Sequence, residues 1–403
     1  MKVGILVPSL YMYAGAFKKR ISAPMQLSLQ LADTLVENGV DTYYFSAPNI
    51  PTKAKVISPA NHDLLSKDLR IDYQQDIPHE AYDIVSFYEK KKYFELEVTK
   101  LAYAWAMQEP DSLIHVYHAV GNLAHFFTEL CPVPTLYTLH VYPPPAGTLE
   151  HWRYQRFAKQ QFLPISESQK KGFLSFVPGM NMLKTIYHGV DPKVYEFSEK
   201  GGEYLAFMGR LIPEKGLDQA LESAIKTNHH LEIATHVTPV TEETPYYHEK
   251  IAPFLKNPLV TMRGLLTDGP KISFLKGAKA FLFPLRWDEP FGMSVIESLA
   301  VGTPVIAYAR GSMPEIILDG KVGFLVNPSP QDKKGDFIIK KTGEEGIREA
   351  IERLYALSPE EYLRMRQNAR DHVLGHFTVE RMVNNHMEVY TQVLSRARKR
   401  YFA

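Results

Sequence analysis

WDEPFGMSVIESLAVGTPVIAYARGSMPEII, the run from Trp287 to Ile317, is the part of the chain around which the rest can be read. It follows a short apolar run, Ala280 to Leu285, that reads as a buried strand. Pro284 and Pro290 bound a loop, and Gly292 frees the backbone for a tight turn. From Met293 to Ala300 the spacing predicts a helix with Val295, Ile296, Leu299 and Ala300 on its apolar face. Gly302, Thr303 and Pro304 end it, and Val305 to Ala307 reads as the next strand. The amides of Gly292, Met293 and Ser294 therefore stand at a helix N-terminus, where free N–H groups and the dipole favour an anion. Two carboxylates flank that point, Glu289 in the loop and Glu297 on the second turn. Acids beside a phosphate repel it, so they are better explained as acceptors for neutral hydroxyls on either side. A ligand that carries hydroxyls, then phosphate, then hydroxyls is a nucleotide sugar.

The 403 residues exceed one ordinary domain, and two domains are expected. An apolar content of 45% is enough for two cores. The net charge of +1 gives no general attraction to nucleic acid, and none is expected as a partner. A single cysteine, Cys131, excludes an internal disulfide framework and suits a reducing cytosol. No apolar run has the length of a membrane span. Lys2, the apolar residues after it and Ala14-Gly15-Ala16 imitate a signal peptide. Pro8, Ser9 and the basic Lys18-Lys19-Arg20 favour a first buried strand instead.

Two α/β patterns follow one another. In the first, Val3–Val7 is a strand, Pro24–Glu37 a helix stopped by Asn38-Gly39, and Asp41–Ser46 a second strand, with Gly15 in the loop between the first strand and the helix. No GxGxxG is present. Residues 49–80 read as irregular, Tyr82–Phe87 as a strand, and Lys90-Lys91-Lys92 as the opening of a helix to about Met107. The lysine triplet is read first as a solvated face. The nearby Tyr88, Tyr93, Phe94, Tyr103 and Trp105 make a membrane-surface patch the second choice. Leu113–His118 and Thr135–Leu139 are strands, the second followed by His140, so histidines stand at two strand ends, where parallel sheets bind ligands. No carboxylate or cysteine completes a zinc set with them. Residues 192–203, charged and containing Gly201-Gly202, read as a linker.

The second pattern begins at Tyr204. Strand Leu205–Met208 is followed by Gly209-Arg210-Leu211-Ile212-Pro213-Glu214-Lys215-Gly216. Arg210 offers a planar fork for phosphate oxygens and Lys215 a point charge. Leu217–Ile225 is a helix, Leu231–Ala234 and the run from Val260 are strands, and Lys271–Ala278 is a helix. Ser358-Pro359 starts a new helix in a charged C-terminal stretch.

Glu289 and Glu297, set in DEPFGMSVIESLAVGTPVIA and continued by GSMPEIILDGKVGFLV, resemble the signature of the retaining family 4 glycosyltransferases of the GT-B fold (glycosyl transferases group 1). The resemblance extends backwards through GRLIPEKG, through FLPIS, and through TIYHGVD, which resembles the end of an N-terminal domain. It implies an α/β fold of two Rossmann-like domains facing each other across a cleft. An acceptor-side domain would span 1–190, a linker 191–203 and a nucleotide-sugar domain 204–378, with a C-terminal helix, 379–403, crossing back to the first domain. The implied activity is retaining transfer, as by a hexosyltransferase, from a UDP-sugar, or next a GDP-sugar, to a hydroxyl of a sugar, lipid-linked or small-molecule acceptor. Neither a metal nor a prosthetic group is implied, and no DxD signature appears in a suitable loop.

By the same resemblance Gly209, Arg210, Lys215 and the loop Phe291–Ser294 would hold the diphosphate. Gly264 and Leu265 would hold the base, Glu297 the ribose and Glu289 the transferred sugar. Gly15 matches the family's loop that approaches the donor phosphates and the acceptor, and His140, from its place at a strand end, is a candidate for the cleft. His115, Tyr117 and His118 compete for the functional histidine, with His118 preferred. The implied place is the cytoplasm or the inner face of a membrane. Two alternatives remain: a non-catalytic nucleotide-sugar-binding subunit, and a GT-B epimerase or phosphorylase.

Overall fold

The computed structural model describes residues 1–13, 23–60, 81–109, 111–117, 123–131 and 133–401, apart from the side chains of 81–84, 86, 87, 268 and 398–401. The chain divides into two compact units, residues 1–186 with 379–403, and residues 187–378.

The first unit is built on a six-stranded parallel sheet. Its strands are β1 (Lys2–Leu6), β2 (Asp41–Phe45), β3 (Lys55–Ile57), β4 (Ser112–Val116), β5 (Thr135–Thr138) and β6 (Gln161–Leu163), in the order β3-β2-β1-β4-β5-β6. Strands that lie between helices are buried on both faces and read as unbroken apolar runs, which is why Val3, Ile5, Leu6 and Val7 have no exposure. The expected strand over Tyr82–Phe87 is instead the opening of one long helix, Ala81–Gln108. Its second half packs on β1 and β4, and tertiary packing overrides the local β preference of the apolar residues at its start. The third strand is β3, a three-residue edge strand, too short to be legible in the sequence. The C-terminal helix Val379–Tyr401 packs on helix Ala23–Glu37 and on β4 of this unit. Lys184 Nζ reaches Asn385 and Glu388 on it, each at 2.7 Å.

The second unit repeats the plan with β7 (Tyr204–Met208), β8 (Leu231–Ala234), β9 (Val260–Met262), β10 (Ala278–Phe283), β11 (Val305–Tyr308) and β12 (Gly323–Val326). All pair in parallel in the order β12-β11-β10-β7-β8-β9. Counted from its own first strand, this is again 3-2-1-4-5-6, the doubly wound order in which chain direction across the sheet reverses between the first and fourth strands. The reversal falls between β7 and β10, so the loops leaving these two strands frame, at their carboxyl ends, the crevice where sheets of this order bind ligands.

Residues 191–203 lie in this second unit. The helix Pro359–His376, started by a Ser358–Glu361 capping box, supplies two arginines that hold them. Arg366 is fully buried and donates to Ser198 O at 3.0 Å, and Arg370 donates to Tyr195 O at 2.5 Å and Pro192 O at 2.9 Å. Gly202 is a packing residue here: a Cβ on it would stand 1.9 Å from Gly277 O.

Candidate functional site

The crevice of the second unit is built by two loops that the sheet order brings together. Leaving β7, the chain runs through Gly209 and Arg210 into a single 3-10 turn, Pro213–Lys215, and then through Gly216 into helix Leu217–Lys226. Leaving β10, it runs through Pro284 to Gly292 and into helix Met293–Ala300. The loops touch at Gly216, which has φ +73°, and a Cβ there would lie 2.0 Å from Pro284 O. Arg286 ties them further: its backbone N–H donates to Glu214 O at 2.9 Å, its guanidinium to Pro213 O at 3.0 Å, and it forms an ion pair with Asp218.

Across this junction Lys215 Nζ meets Glu289 Oε2 at 2.8 Å. Both side chains are largely covered, at 13% and 17% exposure, so the pair is less screened than a surface ion pair. The same oxygen accepts from Trp287 Nε1 at 2.8 Å, and the ammonium lies 4.8 Å from the Trp287 ring. Arg210, on the same loop as Lys215, is exposed, and its guanidinium makes no hydrogen bond or ion pair among the described residues. The amide of Gly209 donates to Ala234 O at 3.2 Å and is spent within the sheet. What Gly209 leaves to a ligand is space.

At the head of helix Met293–Ala300, Gly292 takes φ +98°, and no described residue accepts from the amides of Gly292, Met293 or Ser294. The turn is fastened from behind by Ser312, whose hydroxyl donates to Glu289 O at 3.1 Å and Phe291 O at 2.6 Å. Phe291 is buried against Tyr187, His188 and Phe377. Glu297, one turn into the helix, is 12% exposed at its side chain. Its Oε1 accepts from Lys271 Nζ at 2.8 Å and from Tyr195 Oη at 2.8 Å. Neither partner was legible as a site residue: Lys271 reads as one more helix-surface lysine, and Tyr195 sits in the stretch read as a linker.

Gly264 and Leu265 follow β9, whose place in the sheet is two strand spacings from β7, about 9–10 Å. Both are exposed, and Gly264 has open space where a side chain would stand. Just before them Arg263 forms a two-toothed pair with Glu232, at 2.8 and 2.6 Å.

In the first unit the expected residues divide. Gly15 and His118 lie outside the described residues. His115 is fully buried with both ring nitrogens engaged, Nδ1 with Tyr390 Oη at 2.6 Å and Nε2 with Thr138 Oγ1 at 2.7 Å. Burial holds its pKa well below the ordinary 6.5, so it is a neutral core group. Tyr117 is also fully buried and meets His140 edge-on, with ring centroids 4.9 Å apart. Among the described residues no group of three or more His, Cys, Asp or Glu side chains could hold a metal ion, and no helix is long and apolar enough to cross a membrane.

Residues 193–372 match the family model of glycosyl transferases group 1. An uncharacterized glycosyltransferase of Methanocaldococcus jannaschii is 28% identical over 174 residues, 42% of this chain and 47% of that protein. The alpha-maltose-1-phosphate synthase of Mycolicibacterium smegmatis is 21% identical over 323 residues, 71% of this chain and 80% of that one. The chain thus spans about half the length of the first of these relatives and more of the second. Among solved structures, the sucrose-phosphate synthase of Thermosynechococcus elongatus superposes with a TM-score of 0.73 at 16% identity, covering 98% of this chain and 99% of that one. The Anabaena protein HepE, crystallised with UDP and glucose, gives 0.68 at 15% identity, covering 97% and 99%. These likenesses carry the fold, two Rossmann-like sheets of the GT-B class. The stretch that matches the glycosyl transferases group 1 model, residues 193–372, makes up nearly all of the second unit.

Proposed function

We propose that the protein is a retaining glycosyltransferase that moves a sugar from a nucleoside-diphosphate sugar to a hydroxyl acceptor. The observation that carries this is the meeting of Lys215 and Glu289 at the reversal of the second sheet, beside the free amides of Gly292–Ser294. A cation, amide donors and a carboxylate with one oxygen to spare suit a ligand in which phosphate and hydroxyls adjoin. Arg210 and Lys215 hold the diphosphate, Glu289 accepts from hydroxyls of the transferred sugar, and Glu297 from the ribose. A uridine donor is favoured, in keeping with the UDP in the HepE structure.

In the reaction the bond from the anomeric carbon to the phosphate oxygen breaks, and the diphosphate leaves with the electron pair. The acceptor oxygen bonds to the same carbon on the same face, and its proton passes to the departing phosphate. Charge grows on the diphosphate as the bond breaks. Arg210, Lys215 and the helix N-terminus stabilise that charge more than they stabilise the ground state. No metal is needed for this charge balance. His118 and Gly15 serve the acceptor side, whose partner is a sugar, a lipid-linked or a small hydroxyl compound, and the reaction takes place in the cytoplasm or at a membrane's inner face.

The test is incubation with UDP-, GDP- and ADP-sugars and a panel of sugar acceptors, followed by NMR of the product's anomeric centre. The proposal expects one donor class to be consumed with its configuration kept. Inversion would refute the mechanism, and nucleotide binding without turnover across acceptors would favour a non-catalytic role.

A further inference from the structure

Both signature carboxylates are held by the same three-part device. At Glu289 an ammonium, Lys215 Nζ, and an aromatic donor, Trp287 Nε1, meet one oxygen, Oε2, each at 2.8 Å. At Glu297 an ammonium, Lys271 Nζ, and an aromatic donor, Tyr195 Oη, meet one oxygen, Oε1, each at 2.8 Å. In each case the lysine also lies against the ring of that donor, Lys215 at 4.8 Å from Trp287 and Lys271 at 5.4 Å from Tyr195. In each case the second carboxylate oxygen has no hydrogen-bond partner among the described residues. The two devices come from different parts of the chain: Tyr195 precedes β7, and Lys271 lies on helix Asp268–Lys276.

A carboxylate with both oxygens free would rotate and carry a full charge toward the diphosphate. One oxygen fixed by a cation and a neutral donor cancels most of that charge and sets the direction of the other oxygen. We infer that Lys271 and Tyr195 are positioning residues for the nucleoside half of the donor. They neutralise Glu297 and turn its free oxygen toward a ribose hydroxyl. This rests on the proposed donor site and adds to it the pair that makes the enzyme discriminate ribose from deoxyribose.

The experiment measures binding of UDP, 2′-deoxy-UDP and 3′-deoxy-UDP by calorimetry, with the corresponding GDP and ADP sets. The proteins are wild type, Lys271→Met, Lys271→Arg and Tyr195→Phe. The inference predicts that wild type binds the ribonucleotide roughly tenfold or more tightly than at least one deoxy analogue, as expected for a hydrogen bond to a charged group. Lys271→Met and Tyr195→Phe should bring that ratio toward one, chiefly by weakening the ribonucleotide, and Lys271→Arg should restore part of it. Equal weakening of ribo- and deoxynucleotides, with the ratio intact, would overturn the inference and leave the donor site standing. No binding of any nucleotide by the wild type would remove the donor site itself and the inference with it. Tyr195→Phe keeps the ring, and Lys271→Arg keeps the charge, so the ratio can be read even if Lys271→Met does not fold.

Discussion

Lys215 pairs with Glu289 and, in the proposed site, is one of two cations for the diphosphate. On that proposal Lys215→Ala removes a phosphate contact and leaves a largely covered carboxylate without its cation. The expected loss in kcat/KM is roughly 100-fold, typical for deleting one donor to developing negative charge, and donor hydrolysis or transfer kinetics would show it. Arg210→Ala, with its exposed side chain, should cost activity while leaving the melting temperature within a degree or two of wild type. A large fall in melting temperature for Arg210→Ala would mean the residue is structural. Arg210, Lys215, Glu289 and Glu297 could be picked out of the sequence because a strand, a glycine or a helix start stands beside each. Lys271 and Tyr195 could not, because they reach Glu297 only through long-range folding and no local pattern marks either one. Gly209 was read correctly as part of the loop, but its N–H is used by Ala234 O, which only the strand register reveals.

At the scale of elements, the two loops of the crevice depend on Gly216. Its positive φ and its approach to Pro284 O leave no room for a Cβ. Gly216→Ala should lower stability by more than ~1 kcal/mol and weaken nucleotide binding together with it, measured by urea unfolding and calorimetry. Helix Pro359–His376 depends on Arg366 in the same sense. Arg366→Ala takes the donor from Ser198 O and empties the space of a fully buried side chain, while Val301 O keeps the Ser198 N–H, and a destabilisation of about 2–4 kcal/mol is expected from denaturant curves.

The C-terminal helix carries His386, whose pKa burial lowers to about 4, and it packs its Tyr390 hydroxyl against His115. His386 lies among His115, Tyr117 and Tyr390. Elsewhere in this unit burial also takes His125 to about 4. These groups bind fewer protons folded than unfolded, so their contribution is complete above pH 6.5 and declines as pH falls from there toward 4. Unfolding midpoints measured between pH 7.5 and 4.5 should show that decline, and His386→Leu should flatten it.

For the whole molecule, two successive α/β patterns are what the sequence shows most clearly, because most of the buried parallel strands read as apolar runs ending in a glycine or polar loop; the shared strand order is seen only in the structure. The failures fall where that rule fails. β3 has only three residues and one neighbour, and the β-like run at Tyr82–Phe87 is overridden by the long helix that continues from it. The stretch 191–203 has a linker's composition, yet Arg366 and Arg370 bind its carbonyls, and a charge pattern cannot show which backbone groups an arginine will find. The family match falls wholly within the second unit, and most residues of the proposed donor site could be picked out there. The acceptor side had less to read: two histidines, one glycine and no motif that orders them.

The nucleoside-diphosphate site proposed at the reversal of the second sheet is tested by the thermal shift of wild type and Arg210→Ala with saturating UDP-, GDP- and ADP-sugars. A ligand that binds only the folded chain raises its melting temperature with the logarithm of saturation. A rise is expected for one nucleotide class, greatly reduced in Arg210→Ala. A rise of equal size in both proteins would place the nucleotide elsewhere, and no rise with any donor would contradict the site.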